Sequence, residues 1–152
     1  MVFVRAMIEV RPISADETIA VRWPILRPGF PRESAIFDGD GAPATRHFGG
    51  FVNGRLAGVA SIYRATMPEQ PAIAEGWQLR GMATMPEVRG LGVGRALLRV
   101  CEDAARAEGG RLIWCNARVS AAEFYRRNGW EIVGAEFEIP TVGPHLRMRR
   151  EL

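Results

Sequence analysis

Three glycines at alternate positions stand in Arg89-Gly90-Leu91-Gly92-Val93-Gly94-Arg95, between an apolar run and an amphipathic one. Glycine removes the side chains that would block approach to a turn's backbone. The amides of such a turn, and of a helix that starts beside it, point outward at the positive end of the helix dipole. That combination binds anions and suits a pyrophosphate, with Arg89 and Arg95 as flanking cations. Two other phosphate loops are excluded. A Walker loop needs a Gly-Lys-Ser/Thr step, and this chain has no lysine. The dinucleotide fingerprint needs glycine at its sixth position, which is Arg95 counted from Gly90 and Leu97 counted from Gly92. A ligand-free strand–helix connection is the bland alternative, and three alternate glycines beside an arginine argue against it.

A loop of this kind needs a strand to deliver it and a helix to receive it. Residues 77–84 read as the strand. Val93, Ala96, Leu97, Val100, Cys101 and Ala104 recur at three- and four-residue spacing and define one buried stripe. Arg95, Arg99, Glu102, Asp103 and Arg106 take the other face, and Gly109-Gly110 supplies a left-handed exit. Upstream, residues 7–10 read as a first strand, and Ser14 with Glu17 forms a capping box. The helix it opens is expected to end near Trp23, because Pro24 disfavours helical geometry before it. Residues 24–44 carry Pro24, Pro28, Gly29, Pro31, Gly39, Gly41 and Pro43, the composition of a long irregular loop. Residues 46–52 and 56–63 flank Asn53-Gly54, the strongest hairpin signal in the chain. Residues 66–76 read as a loop, 112–115 as a short buried strand, and 130–133 with 146–150 as a final strand pair. Ser120 and Glu123 suggest a second capping box, opening a helix that Asn128-Gly129 closes. No repeat or linker interrupts residues 1–152, so a single α/β domain with a mixed sheet is expected.

The stretch from Leu79 through Leu98 resembles the acyl-CoA-binding motif of the GNAT superfamily of N-acyltransferases. Its Arg/Gln-x-x-Gly-x-Gly/Ala pattern is matched by Arg89, Gly92 and Gly94. Asn116, followed by Ala122-Glu123-Phe124-Tyr125-Arg126-Arg127-Asn128-Gly129-Trp130, resembles the family's second motif, with Trp130 in place of the usual phenylalanine. A narrower likeness is to the ElaA-like bacterial branch, through Leu26-Arg27-Pro28-Gly29, His47 and Gly143-Pro144-His145. That branch often has isoleucine between the last glycine and proline; here it is absent. The resemblance implies a mostly antiparallel mixed sheet flanked by helices and splayed at its central strand. It implies acetyl-CoA as co-substrate, with Met82, Ala83 and Thr84 offering backbone groups to the pantetheine arm. Arg89, Gly90, Leu91, Gly92, Val93, Gly94 and Arg95 would hold the pyrophosphate, and Asn116 and Phe124 would meet the arm. Tyr125 would return a proton to the leaving thiolate; a core tyrosine with a satisfied hydroxyl is the alternative. Residues 24–44 would help form the acceptor pocket, against the alternative of a plain surface loop.

Attack of an amine on a thioester requires a neutral amine, and so a base. Candidates are His47, Glu75, Glu136, Glu138 and His145, with His145 favoured by a histidine's titration near neutral pH. The acceptor would be a primary amine on a small molecule or a peptide. A non-catalytic acyl-CoA-binding or sensing module is the competing reading, and the presence of Tyr125 favours the enzyme.

Composition narrows the rest. An apolar fraction of 47% with 24% charged residues is ordinary for a globular domain and excludes a disordered chain. Twenty arginines against 17 acids give +3, and they are spread among the acids except for Arg147, Arg149 and Arg150, whose alternation with Leu146 and Met148 reads as one face of a strand. No concentrated basic stripe appears, so no nucleic-acid partner is expected. Uncharged stretches are too short to cross a bilayer, and no signal-peptide pattern opens the chain. A cytoplasmic location is expected by default, with no metal and with a monomer and a homodimer both left open. Cys101 and Cys115 read as buried free thiols.

Overall fold

A computed structural model describes residues 7–152. Its elements are β1 (Ile8–Pro12), α1 (Ala15–Leu26), a 3-10 turn (Arg32–Ala35), β2 (Arg46–Val52), β3 (Arg55–Arg64) and β4 (Gly76–Thr84). There follow a second 3-10 turn (Pro86–Val88), α2 (Val93–Ala107), β5 (Leu112–Arg118), a third 3-10 turn (Val119–Ala121), α3 (Ala122–Arg127), β6 (Glu131–Ile139) and β7 (Gly143–Glu151). The strands form one mixed sheet of order β1-β2-β3-β4-β5-β7-β6, the expected α/β class. Backbone contacts divide the chain into two compact units. The first runs up to Tyr63 and resumes at Gly81–Cys101; the second is Arg64–Arg80 with Glu102–Leu152.

In the first unit, β1, β2 and β3 pair antiparallel, and the β2–β3 turn places Asn53 at φ 49° and Gly54 at φ 82°. These are the left-handed values that an Asn-Gly turn accepts. Val21, Val59 and Ala83 form a core cluster, with Ile13, Ile25, Leu26, Leu56 and Met85 packed on it. In the second unit, β4 pairs parallel with β5 from Gly76↔Leu112 to Gln78↔Trp114. The ladder stops there, although within this unit both strands continue past it. β7 pairs antiparallel with β5 and β6 on either side, around a cluster of Met67, Leu112 and Trp114.

Local signals account for several of these elements. The Ser14–Glu17 capping box is complete in both directions, at 3.1 and 3.0 Å. Helix α2 buries Val93, Leu97, Leu98, Cys101 and Ala105, close to the expected stripe. Other expectations fail for identifiable reasons. Helix α1 continues through Pro24 to Leu26, instead of ending near Trp23. Pro24 and Ala20 are both exposed, so the carbonyl that loses its donor can bond to water. The second capping box does not form, because Ser120 lies inside the 3-10 turn and Ala121 is the N-cap. Glu123 pairs instead with Arg126 and Arg127. The last strand pair is longer than expected, and β7 lies between β5 and β6. Glu102, assigned to the solvent face, is 4% exposed. It accepts from Trp130 Nε1 at 2.8 Å and from Arg150 Nη1 at 3.1 Å, which makes its burial tolerable.

Candidate functional site

In the first unit the glycine run turns out of the Pro86–Val88 turn and into α2. Gly90 and Gly92 have φ of 85° and 94°, and a Cβ built on either meets nothing within 4 Å. The residue type is therefore dictated by backbone conformation, and the surface above it is open. The first intrahelical bond is Ala96 N–H to the Gly92 carbonyl at 3.0 Å. The amides of Val93, Gly94 and Arg95 consequently precede the ladder and remain available to a ligand. No acidic residue lies in this first turn, and Arg89 and Arg95 are exposed beside it. Donors and positive charge thus stand together on this surface. Upstream, Ala83 is buried while Met82 and Thr84 are half-buried, and Met85 N–H bonds the Ala57 carbonyl at 2.8 Å.

What seats this helix was not read from the sequence. A Cβ on Gly58 would stand 2.9 Å from Val93 Cγ1 and 3.0 Å from Leu97 Cδ1, and one on Gly50 would stand 2.8 Å from Val93 Cγ1. Glycine within a strand marks such close approaches, and that signal was available at both positions. Gly58→Ala is expected to push the first turn of α2 off the sheet and to cost about 1–3 kcal/mol. Urea unfolding together with acetyl-CoA calorimetry checks this, since both stability and affinity should fall.

Residues 24–44 are pinned from inside. Arg22 is fully buried and donates to the Ala35 carbonyl at 3.1 Å, both Asp40 oxygens at 2.7 and 3.2 Å, and Ser61 and Tyr63 at 3.0 Å each. Its guanidinium carbon also lies 4.2 Å from the Phe37 ring centroid. Burial alone would raise the Asp40 carboxyl, but hydrogen bonds from Arg22, Tyr63 and the Phe37 amide outweigh it and hold the group below its ordinary value. His47 belongs to the same network. Its Nε2 lies 2.9 Å from the Asp40 carbonyl, which can only accept, and its Nδ1 lies 2.6 Å from Ser61 Oγ. Both ring nitrogens are engaged, so His47 is a structural residue and not a free base.

In the second unit, Asn116 sits on β5 opposite Arg147 of β7, and its Oδ1 is buried with no hydrogen-bond partner among the described residues. Phe124 and Tyr125 meet edge to face at 5.1 Å, and Tyr125 packs on Trp130 at 5.2 Å. Glu102 and Arg150 hold Trp130 and the Asn128 carbonyl, so this aromatic group is fixed from behind. Tyr125 is 5% exposed, and its hydroxyl hydrogen-bonds the Cys115 thiol. Burial pushes that thiol's pKa far up, against the opposing effects of Tyr125 and Arg147, so Cys115 stays neutral. Neither cysteine is in a disulfide among the described residues, and both are buried. His145 is 4% exposed, with Nδ1 2.7 Å from the Gly143 carbonyl. A carbonyl accepts only, so the neutral ring carries its proton on Nδ1 and its lone pair on Nε2. Of the other candidate bases, Glu136 and Glu138 are exposed on β6 and Glu75 is half-buried. Among the described residues no group of His, Cys, Asp or Glu could hold a metal ion, and no helix is long and apolar enough to cross a membrane.

A mixed sheet with a parallel β4–β5 pair, a glycine loop opening onto a helix, and the Phe-Tyr pair on α3 define an acyltransferase of one family. The chain belongs to the acetyltransferase (GNAT) family, whose model matches residues 13–130. It is 34% identical over 148 residues to the uncharacterized N-acetyltransferase YitI of Bacillus subtilis (strain 168), covering 96% of this chain and 97% of that one. The solved structure of Escherichia coli ElaA matches with a TM-score of 0.75 at 21% identity, over 95% of this chain and 100% of ElaA. An aminoglycoside 6'-N-acetyltransferase in complex with coenzyme A matches with a TM-score of 0.74 at 14% identity, over 94% and 96%. At these identities the two structures speak to the fold alone.

Proposed function

We propose that this protein is an acetyl-CoA-dependent N-acetyltransferase that moves the acetyl group directly to a primary amine of a small molecule or peptide. The observation that carries the reading is the open turn at Gly90 and Gly92, with the unladdered amides of Val93, Gly94 and Arg95 behind it. A pyrophosphate needs such a cradle, and the residues present fit it. Arg89 and Arg95 add charge, and Met82, Ala83 and Thr84 offer strand backbone to the pantetheine arm. Asn116 brings an amide oxygen with no hydrogen-bond partner among the described residues, a match for an arm N–H, and Phe124 supplies apolar contact.

The chemistry forms a C–N bond and breaks the C–S bond, and it requires one proton to leave the amine and one to reach the thiolate. His145 suits the first task, because its tautomer leaves the Nε2 lone pair to accept. Tyr125 suits the second. Its hydroxyl already bonds one sulfur, that of Cys115, and an ionised thiolate is the stronger acceptor. A strand amide of β4 would serve the developing oxyanion.

Gly92→Val is expected to weaken acetyl-CoA binding by tenfold or more, about 1.4 kcal/mol. A β-branched residue resists φ near 94° and also covers the open surface. Calorimetry on the folded variant decides it, and unchanged affinity would remove this loop from the site. Thiol release across an amine panel tests turnover. Binding without release would favour a sensing module on the same fold.

A further inference from the structure

Arg22, Arg149 and Arg150 show how this chain treats an arginine drawn toward its interior. Arg22 makes five hydrogen bonds, Arg149 bonds Glu131 and Gln70, and Arg150 bonds Glu102 and the Asn128 carbonyl. Arg147 differs. Its side chain is 16% exposed and its Nε is buried, yet its guanidinium makes no hydrogen bond among the described residues. The carboxylate of Glu69 stands 3.7 Å from Nε, beyond hydrogen-bonding distance. The guanidinium is held by aromatic rings instead, 5.0 Å from the Trp114 centroid and 5.3 Å from that of Phe137. The indole is itself anchored by its N–H on the Ala65 carbonyl at 2.8 Å. Ring contacts use the charge of a guanidinium and none of its donors. Arg147 is therefore a ring-held guanidinium whose buried Nε has no hydrogen-bond partner among the described residues, and a desolvated donor of a charged group is costly unless something bonds it.

Its neighbours point to what that something is. His145 lies two positions before Arg147 on β7 and so faces the same side of the sheet. Its ring centroid lies 6.1 Å from that of Phe137, so both residues flank one ring. Strand positions two apart are separated by roughly 7 Å. A short amino acid spans that gap when each end adds a hydrogen bond of about 2.9 Å. A single guanidinium balances one negative charge, which fits a carboxylate better than a phosphate dianion, and the Glu69 carboxylate at 3.7 Å competes for it.

We propose that Arg147 is the anion-recognition residue of the acceptor site, and that the acceptor is an amine bearing a carboxylate, held by Arg147 with its amine toward His145. This rests on the acetyltransferase reading above and narrows its acceptor class. The test uses the full-length chain, acetyl-CoA, and matched pairs of glycine, leucine and phenylalanine with their C-terminal amides. The amides' amines are less basic and more reactive at neutral pH, so basicity works against the expected preference. Wild type is expected to favour the free acids by at least tenfold in kcat/KM. Arg147→Gln should abolish that preference through KM, leaving the amides and the acetyl-CoA constant unchanged. Glu69→Gln removes the nearby carboxylate from an exposed loop position, which makes it safe for folding. It should lower KM for the acids two- to fivefold. Equal use of acids and amides by wild type, a preference retained in Arg147→Gln, or an unchanged or raised KM in Glu69→Gln would overturn the proposal while leaving acetyl transfer standing. Should no amine release thiol, calorimetry with leucine and leucinamide in the presence of CoA replaces turnover. Acid-selective binding lost in Arg147→Gln then supports the anion site, although the acetyltransferase reading has failed, and its absence overturns the site.

Discussion

Tyr125→Phe is expected to lower kcat by about 100- to 10,000-fold, the usual contribution of a positioned general acid, with little change in acetyl-CoA affinity. The substitution keeps the ring that packs on Phe124 and Trp130, so the aromatic group behind the site persists. It removes the hydroxyl that bonds the Cys115 thiol, at about 1 kcal/mol of stability. Folding should therefore survive while proton delivery to the thiolate is lost. Single-turnover kinetics and calorimetry on the same preparation separate the two effects. A loss of only two- or threefold would make Tyr125 a packing residue, with water protonating the thiolate. Cys115 is held neutral by burial, so ionisation of this partner does not enter the pH profile near neutrality.

Arg22→Met should have the largest effect on stability. The side chain is fully buried and joins Ser61 and Tyr63 of β3 to Asp40 and to the Ala35 carbonyl of the first 3-10 turn. Removing one partner of such a pair leaves a carboxylate without its counter-charge, which costs about 3–5 kcal/mol. At roughly 2–4 °C per kcal/mol for a chain of this size, Tm should fall by roughly 6–20 °C. Thermal and urea unfolding measure it, and a loss under about 1 kcal/mol would show that the network contributes little.

The acid limb of stability follows from the same group. Asp40 has a folded-state value below its unfolded one, so the unfolded chain takes up the proton first as pH falls. Its contribution is complete above the ordinary aspartate value of about 3.9 and is lost as pH falls below that, through the lowered folded value. Asp40→Asn should flatten this limb.

Much of the fold was legible because its signals are local. The Ser14–Glu17 box, the Asn53-Gly54 turn, the α2 stripe and the Gly109 exit each depend on residues within about one helical turn or hairpin of one another. The glycine loop belongs to this class, since its turn lies in backbone geometry that Gly90 and Gly92 permit wherever the chain goes. Ser120 and Glu123 show the limit of such reasoning: the spacing was right, but the chain entered α3 through a 3-10 turn. Pro24 shows it in reverse, because only exposure of the opposing carbonyl made a helical proline tolerable.

The sequence by itself determined which stretches become strands and helices, where the glycine loop lies, and that the chain carries two acyltransferase motifs. Tertiary structure decided which polar side chains are saturated and which are left with capacity. Arg22 and Arg147 are indistinguishable as letters. One makes five hydrogen bonds to residues 13 to 41 positions away, and the other is held by aromatic rings from β5 and β6 and makes no hydrogen bond among the described residues. His47 and His145 divide the same way, since Ser61 and the Asp40 carbonyl occupy both nitrogens of the first while Gly143 fixes only Nδ1 of the second. The physical reason is common to all four: the state of a buried polar group is set by the partners that packing brings to it, and those partners are distant in sequence.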